Sequence, residues 1–245
     1  MNHGSRKVGL ARAISKLGYC SRSRAAELIR AGCVTLNGAA RRNPETPVNL
    51  NKDRIEVNGK RITAATKLYF VLNKPPGVVT TASDEKGRKT VYESLREKAS
   101  WVAPVGRLDK ASEGLLLMTN DSEWAARILA PQTHLDKTYH VRIGAPVDEK
   151  ILNSLLEGIK TDEGEILRAK EAGIVRGGEH RTWVEVVLDE GKNRQIRRMF
   201  EQLGIEVLRL VRIAIGPLTL GDLAKGSSRL LTAAEKKALD DAMQL

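Results

Sequence analysis

Two cysteines and four histidines are all the thiols and imidazoles in this 245-residue chain. Cys20 and Cys33 match no zinc-ligand spacing and the histidines are scattered, so no metal site is expected. Two thiols could close one disulfide, but in a cytosolic chain both are expected as small buried residues. No apolar run approaches the roughly 20 residues that a bilayer span needs. The N-terminus is polar and basic and lacks the apolar core of a signal peptide. The chain is therefore read as cytoplasmic, with no membrane partner. Signatures of common chemistry are missing too: there is no G-x-S-x-G, no Walker loop, no dinucleotide fingerprint and no H-E-x-x-H.

What is there is positive charge, unevenly spread. The chain has 41 Lys and Arg against 30 Asp and Glu, a net of +11. Residues 1–63 hold 13 of the basic and only 4 of the acidic residues, a net of +9 that leaves +2 for the rest. Such asymmetry points to a polyanion-binding module at the N-terminus. Hydrophobic residues make up 41%, normal for a globular protein, and the length suits one large domain or two unequal ones.

Periodicity turns that basic segment into a folded unit. Leu10, Ile14 and Leu17 fall at helical spacing and Gly18 offers a C-cap. Ser21 can cap a second helix whose apolar face is Ala25, Leu28 and Ile29 and whose end is marked by Gly32. "CVTLNGAA" and "DRIEVNGKRI" each read as a hairpin turning at Asn-Gly. Residues 6–63 are thus expected to form a small folded unit of two helices followed by short strands. Arg22, Arg24, Arg30, Arg41 and Arg42 are placed to reach phosphates. Residues 64–67 read as a linker, and 68–245 as a second domain.

In that second domain "LYFVLNKPPGVVTT" predicts strand, Pro-Gly turn, strand. Thr90 is expected to cap a short helix through Glu97. "WVAPVGRL", "LLLMT" and "KTYHVRIGAP" read as strands, as does "TWVEVVL" at 182–188, and "RGGEH" as a hairpin turn. Helices are expected at Trp124–Leu129 behind an Asp121 or Ser122 cap, near 149–157, and over "NRQIRRMFEQLG" up to Gly204. Thr232 and Glu235 make a capping box for the last helix. Strands and helices mix without regular βαβ alternation, so the fold class is α+β, with a mixed, mainly antiparallel sheet and flanking helices. Trp124 and Trp183 are expected as packing residues.

The chemistry-bearing candidates left are Asp109, Tyr139 and the basic stretch 190–200. A carboxylate can act as a nucleophile, or stabilise an oxocarbenium-like sugar centre, without metal or cofactor. A neighbouring arginine keeps it ionised. An aromatic ring can stack on an extruded base. Together these parts suit carbohydrate-type chemistry on a nucleotide flipped out of RNA.

"GRLDKASEGLLLMTND" resembles the catalytic motif of the RNA pseudouridine synthases. "LNKPPGVVTTASDEKGRKTV", "DKTYHVRI" and "DEGKNRQIRRMFEQLGIEVLRLVRIAIGPLTLGDL" resemble the bacterial ribosomal RNA subfamily of the RsuA/RluB type. "GYCSRSRAAELIRAGCVTLNG" is similar to the RNA-binding module named for the fourth small-subunit ribosomal protein. The resemblance implies a cofactor-free and metal-free isomerisation of uridine to pseudouridine in ribosomal RNA or a pre-ribosomal particle, with no obligate protein partner. It makes Asp109 the nucleophile, at the sugar or at the base. Tyr139 would stack on the target uracil and assist proton removal from its carbon five, and Arg197 would pair with Asp109. Arg107 would hold the extruded nucleotide or the gap it leaves. Lys74, Lys137, Arg194 and Arg198 would contact RNA. "VVTTASDEKGRKTV" and "IGPLTLGDL" look closer to members acting on large-subunit than on small-subunit ribosomal RNA. The chief rival is a non-catalytic RNA-binding assembly protein on the same fold.

Overall fold

The structure is a computed structural model that describes residues 7–81, 87–95, 101–178 and 180–244. These residues fall into two compact units. One holds 7–69, 101–103 and Met118–Ala125; the other holds 70–81, 87–95, Pro104–Leu117 and 126–244.

The first unit contains the two expected helices, Leu10–Lys16 and Arg22–Arg30. The Ser21 hydroxyl accepts the Arg24 N–H at 3.1 Å, which satisfies a backbone donor that the first turn would leave free. Asn37-Gly38 and Asn58-Gly59 all have positive φ, the backbone that two-residue hairpin turns require. The four short strands they join lie in the order Ala39–Ala40, Val34–Leu36, Ile55–Val57, Lys60–Arg61. Leu10, Ile14, Ile29, Val34 and Val57 are completely or almost completely buried in its core. Cys20 is buried, Cys33 half-buried, and both are free thiols. The stretch expected as a linker is irregular but tied down. Ala65 N–H donates to the Leu17 carbonyl, and the buried Asn120 side chain holds Leu68 N–H and the Thr66 carbonyl, all at 2.9 Å. Trp124 is buried edge-on against Tyr69, a packing residue as expected.

The second unit is built on a mixed, mainly antiparallel sheet. Its strands run in the order Glu171–Arg176, Thr182–Leu188, Lys137–Ile143, Val207–Ile215, Glu113–Thr119, Tyr69–Lys74, Ser228–Leu230. Val207–Ile215 pairs in parallel with Glu113–Thr119. Glu113–Thr119 is buried along its whole length, as a strand covered on both faces must be. Ile196, Met199 and Phe200 sit at i, i+3 and i+4 of the helix Gln195–Gln202 and seat it in a core with Val141, Val184 and Val186. Helix Glu149–Glu157 is capped by Asp148, and Ala233–Ala242 by the Thr232–Glu235 box.

Three expectations need correction. After Lys74 the chain makes no full strand, only a bridge between Val79 and Thr90. "WVAPVGRL" contributes only Ala103–Pro104, because Gly106 takes φ +73° and turns the chain away. The Thr90 helix is a single 3-10 turn, Val91–Ser94, that ends where Leu95 becomes extended; Glu97 lies outside the described residues. "RGGEH" does join two antiparallel strands, with Glu179 also outside the described residues. No helix among the described residues is long and apolar enough to cross a membrane.

Candidate active site

Asp109 sits on the loop that leads into the strand Glu113–Thr119, and an unusual set of bonds fixes that loop. The Thr80 hydroxyl donates to the Leu108 carbonyl at 2.7 Å and accepts the Leu108 N–H at 3.3 Å. Gly77 N–H donates to the Lys110 carbonyl at 2.7 Å, and Ser112 N–H closes a turn onto the Asp109 carbonyl at 3.0 Å. Leu108, buried, anchors the loop from below.

Lys74 completes the support and corrects an expectation. It is not a surface phosphate contact but a fully buried residue. Its ammonium donates to the carbonyls of Ser112 at 2.7 Å, Pro75 at 3.0 Å and Lys110 at 3.4 Å. Burial pushes its pKa down to about 8, against the pull of Glu113 and Asp109. Three donors meeting three carbonyls is the geometry of a charged ammonium used as a backbone clamp.

The loop borders a cleft of about 380 Å³, within the range of about 300–1,000 Å³ typical of ligand sites. Among the described residues Asp109 is the one carboxylate that lines it, with five cations: Arg107, Lys137, Lys192, Arg194 and Arg212. Tyr139 lines it from the central strand Lys137–Ile143, flanked in the sheet by Val186 and Arg212. Lys137 is half-buried there. Burial and then Arg212 lower its pKa, while Asp136 and Asp189 oppose them. Arg107 is exposed at the same cleft.

The arginine nearest Asp109 is not the expected one. Arg194 Nη1 stands 3.9 Å from Asp109 Oδ2. Arg194 precedes the helix Gln195–Gln202 in a left-handed conformation, φ +48°, which carries its side chain out of helical register. Arg197, one turn on, donates instead to the carbonyls of Val207 at 3.2 Å and Ala111 at 3.4 Å. Burial and the neighbouring Arg194 lower its pKa, and Asp109 pulls it back up, so the carboxylate is near but not paired with it. Arg198 is engaged elsewhere: it bridges Glu165 at 2.8 Å and Glu163 at 3.2 Å and does not line the cleft. Arg22 and Arg30 are exposed in the first unit, and Arg24, also exposed, is paired with Glu27 at 2.9 Å.

Three site residues went unread in the sequence. Thr80 carried no signal at all. Gln195 is buried and links the Arg168 carbonyl, Glu190 and the Lys192 N–H, which shapes the loop that presents Arg194. Its place between two arginines in "NRQIRR" was the available clue. Arg212 was hidden among the alternating residues of a strand.

The cleft thus brings one carboxylate, a central tyrosine and a cationic wall together among the described residues. The chain belongs to the RNA pseudouridylate synthase family, whose model matches residues 68–202, and an S4 domain model matches residues 8–53. It is 38% identical over 231 residues to the ribosomal large subunit pseudouridine synthase B of Bacillus subtilis (strain 168), covering 94% of each chain. It is 38% identical over 240 residues to an uncharacterized RNA pseudouridine synthase of Aquifex aeolicus (strain VF5), covering 98% of this chain and 96% of that one. A crystal structure of a pseudouridylate synthase matches with a TM-score of 0.67 at 30% identity, over 95% of this chain and 99% of the other. The protein is an RNA pseudouridine synthase, an isomerase, with an S4 RNA-binding module at its N-terminal end.

Proposed function

We propose that this enzyme isomerises a specific uridine of large-subunit ribosomal RNA, with Asp109 as the nucleophile on a flipped-out nucleotide. The observation that carries the reading is Asp109 itself, the single carboxylate among the described residues that lines a cleft also holding Tyr139. The uracil is detached as its N1–C1′ bond breaks with the electron pair going to nitrogen. The base turns, carbon five bonds to C1′, and the proton on carbon five leaves. Asp109 attacks C1′ and is displaced when carbon five bonds there, or adds to the base and is eliminated again, so the carboxylate is regenerated either way; N1 takes up a proton in place of the one that carbon five loses. Tyr139 supports the base and stands where it can assist loss of the carbon-five proton. Arg194 and Arg197 hold positive charge beside the carboxylate, and exposed Arg107 suits the displaced backbone. The large-subunit target is supported by the Bacillus relative, whose name carries that substrate.

The test is tritium release from ribosomal RNA labelled at uracil carbon five, since the isomerisation must expel that hydrogen and binding alone cannot. Release is expected from large-subunit RNA and not from small-subunit RNA. Release from the small subunit alone would move the target. No release from free RNA or from pre-ribosomal particles would favour the non-catalytic assembly reading.

A further inference from the structure

Arg212 is a buried cation that the chemistry so far does not use. It is 6% exposed and lines the cleft. Its Nε donates to the Leu115 carbonyl at 2.7 Å, and its Nη2 is buried with no hydrogen-bond partner. No carboxylate among the described residues pairs with it, and Lys137 next to it carries the same sign of charge. An uncompensated buried guanidinium is costly, and a folded chain keeps one only where something else returns the interaction.

The backbone is built to place this residue. Along the pairing with Val207–Ile215, Lys137 faces Ile215 and Thr138 faces Ala214, but Tyr139 faces Arg212; Ile213 is bulged out. Strict alternation would send 210, 212 and 214 to one face and 211, 213 and 215 to the other. The bulge switches that parity, so Leu210, Arg212 and Ile215 all line the cleft. On its other side Arg212 pairs with Gly114, which has φ +99°, and a Cβ there would collide with the Arg212 carbonyl. A bulge and a glycine converge on one arginine beside the tyrosine.

From this placement we infer that Arg212 is a base-reading residue, whose guanidinium donates to a carbonyl oxygen of the extruded uracil. The inference rests on the proposed isomerisation and adds a substrate contact to it. Phosphates stay solvated at the rim, where Arg107 and Arg194 are exposed. The part of an extruded nucleotide that reaches a buried strand is its base edge, and uracil presents two carbonyl acceptors there. When N1 takes the electron pair of the broken bond, the added charge spreads onto those oxygens. A fixed donor in a water-poor site then strengthens as the bond breaks.

The experiment compares wild type, Arg212→Gln and Arg212→Lys on two RNAs: the mapped target fragment, and the same fragment abasic at the target position. In wild type the uridine fragment binds more tightly than the abasic one. Arg212→Gln is expected to shrink that ratio about tenfold or more, the size of a lost charged hydrogen bond, with abasic affinity unchanged. Arg212→Lys keeps the charge without the planar fork and is expected to fall between. An equal loss on both RNAs would assign Arg212 to the phosphate backbone and overturn the inference. So would two variants that fail to fold by circular dichroism, which would make the residue structural. A wild type that releases no tritium would overturn the proposed function and this inference together. Release by wild type with an unchanged binding ratio in both variants would overturn this inference alone.

Discussion

Replacing Lys74 by methionine removes the clamp beneath Asp109 while keeping most of the side-chain volume. Two effects oppose at neutral pH. Three carbonyls lose their donor, at about 1–3 kcal/mol for the buried one of Ser112 and less for the part-buried ones of Pro75 and Lys110, with the 3.4 Å contact to Lys110 counting least. Against that, the variant no longer has to bury a charge. The native ammonium has its pKa pushed from 10.5 to about 8. At about 1.4 kcal/mol per pKa unit, the buried charge costs about 3 kcal/mol at pH 7. The difference between two such figures does not fix the sign at one pH, but the slope is fixed. Between pH 8 and 10.5 the unfolded lysine still binds a proton that the native one has released. Native stability therefore rises with pH across that window. The gain is complete above the unfolded pKa and is lost as pH falls through the native one.

The assay is urea unfolding of wild type and Lys74→Met at intervals from pH 7 to 10.5. The stability of wild type relative to the variant should grow by about 3 kcal/mol across the window, since every other titration is common to both chains. Parallel curves would refute the reasoning, because they would mean that no buried lysine releases its proton there. The same variant should lose turnover by about a hundredfold, the scale expected when a reacting group moves by about 1 Å. RNA affinity should hold, since Lys74 does not line the cleft.

Asp109→Asn should abolish tritium release and leave RNA affinity within a few-fold; residual activity above about a hundredth of wild type would remove Asp109 as nucleophile. Tyr139→Phe should keep binding and lose rate, whereas Tyr139→Ala should also lose the stacking worth about 1–3 kcal/mol; near-wild-type activity in both would return the ring to a packing role. The double change Arg22→Gln with Arg30→Gln should weaken RNA binding and flatten the log–log salt slope by about 1.4, at roughly 0.7 per lost single-strand phosphate contact. Arg24→Gln, whose guanidinium is already held by Glu27, should flatten it less.

The elements that local rules determine were the legible ones. Asn-Gly turns, the Ser21 and Thr232 caps and the apolar spacing of the helices depend on a few adjacent residues, and they stand where the pattern puts them. Asp109 and Tyr139 were legible because their motifs are contiguous, and both line the cleft. What failed to show were contacts made across the sheet. Lys74 reads as a polar end to a strand, and only the two carbonyls brought to it by the 109–112 loop, with that of Pro75 beside it, make a buried ammonium tolerable. Arg197 and Arg194 are equally basic letters in one helix motif. A single left-handed residue decides which of them comes within 4 Å of the carboxylate.

Arg212 is the sharper case. A period-2 reading of Val207–Ile215 gives Leu210, Arg212 and Ala214 as one buried face, and an arginine in that row looks like an error. The same row makes sense once Ile213 is bulged out and the face around Arg212 is the wall of a cleft. A sequence breaks its own pattern most visibly where folding and function pull apart, and here the break comes as a buried charge that no carboxylate among the described residues pairs with. Such a residue is better evidence of a ligand than the well-paired arginines around it. Arg198 and Arg209 already have their carboxylates, whereas Arg212 has none among the described residues.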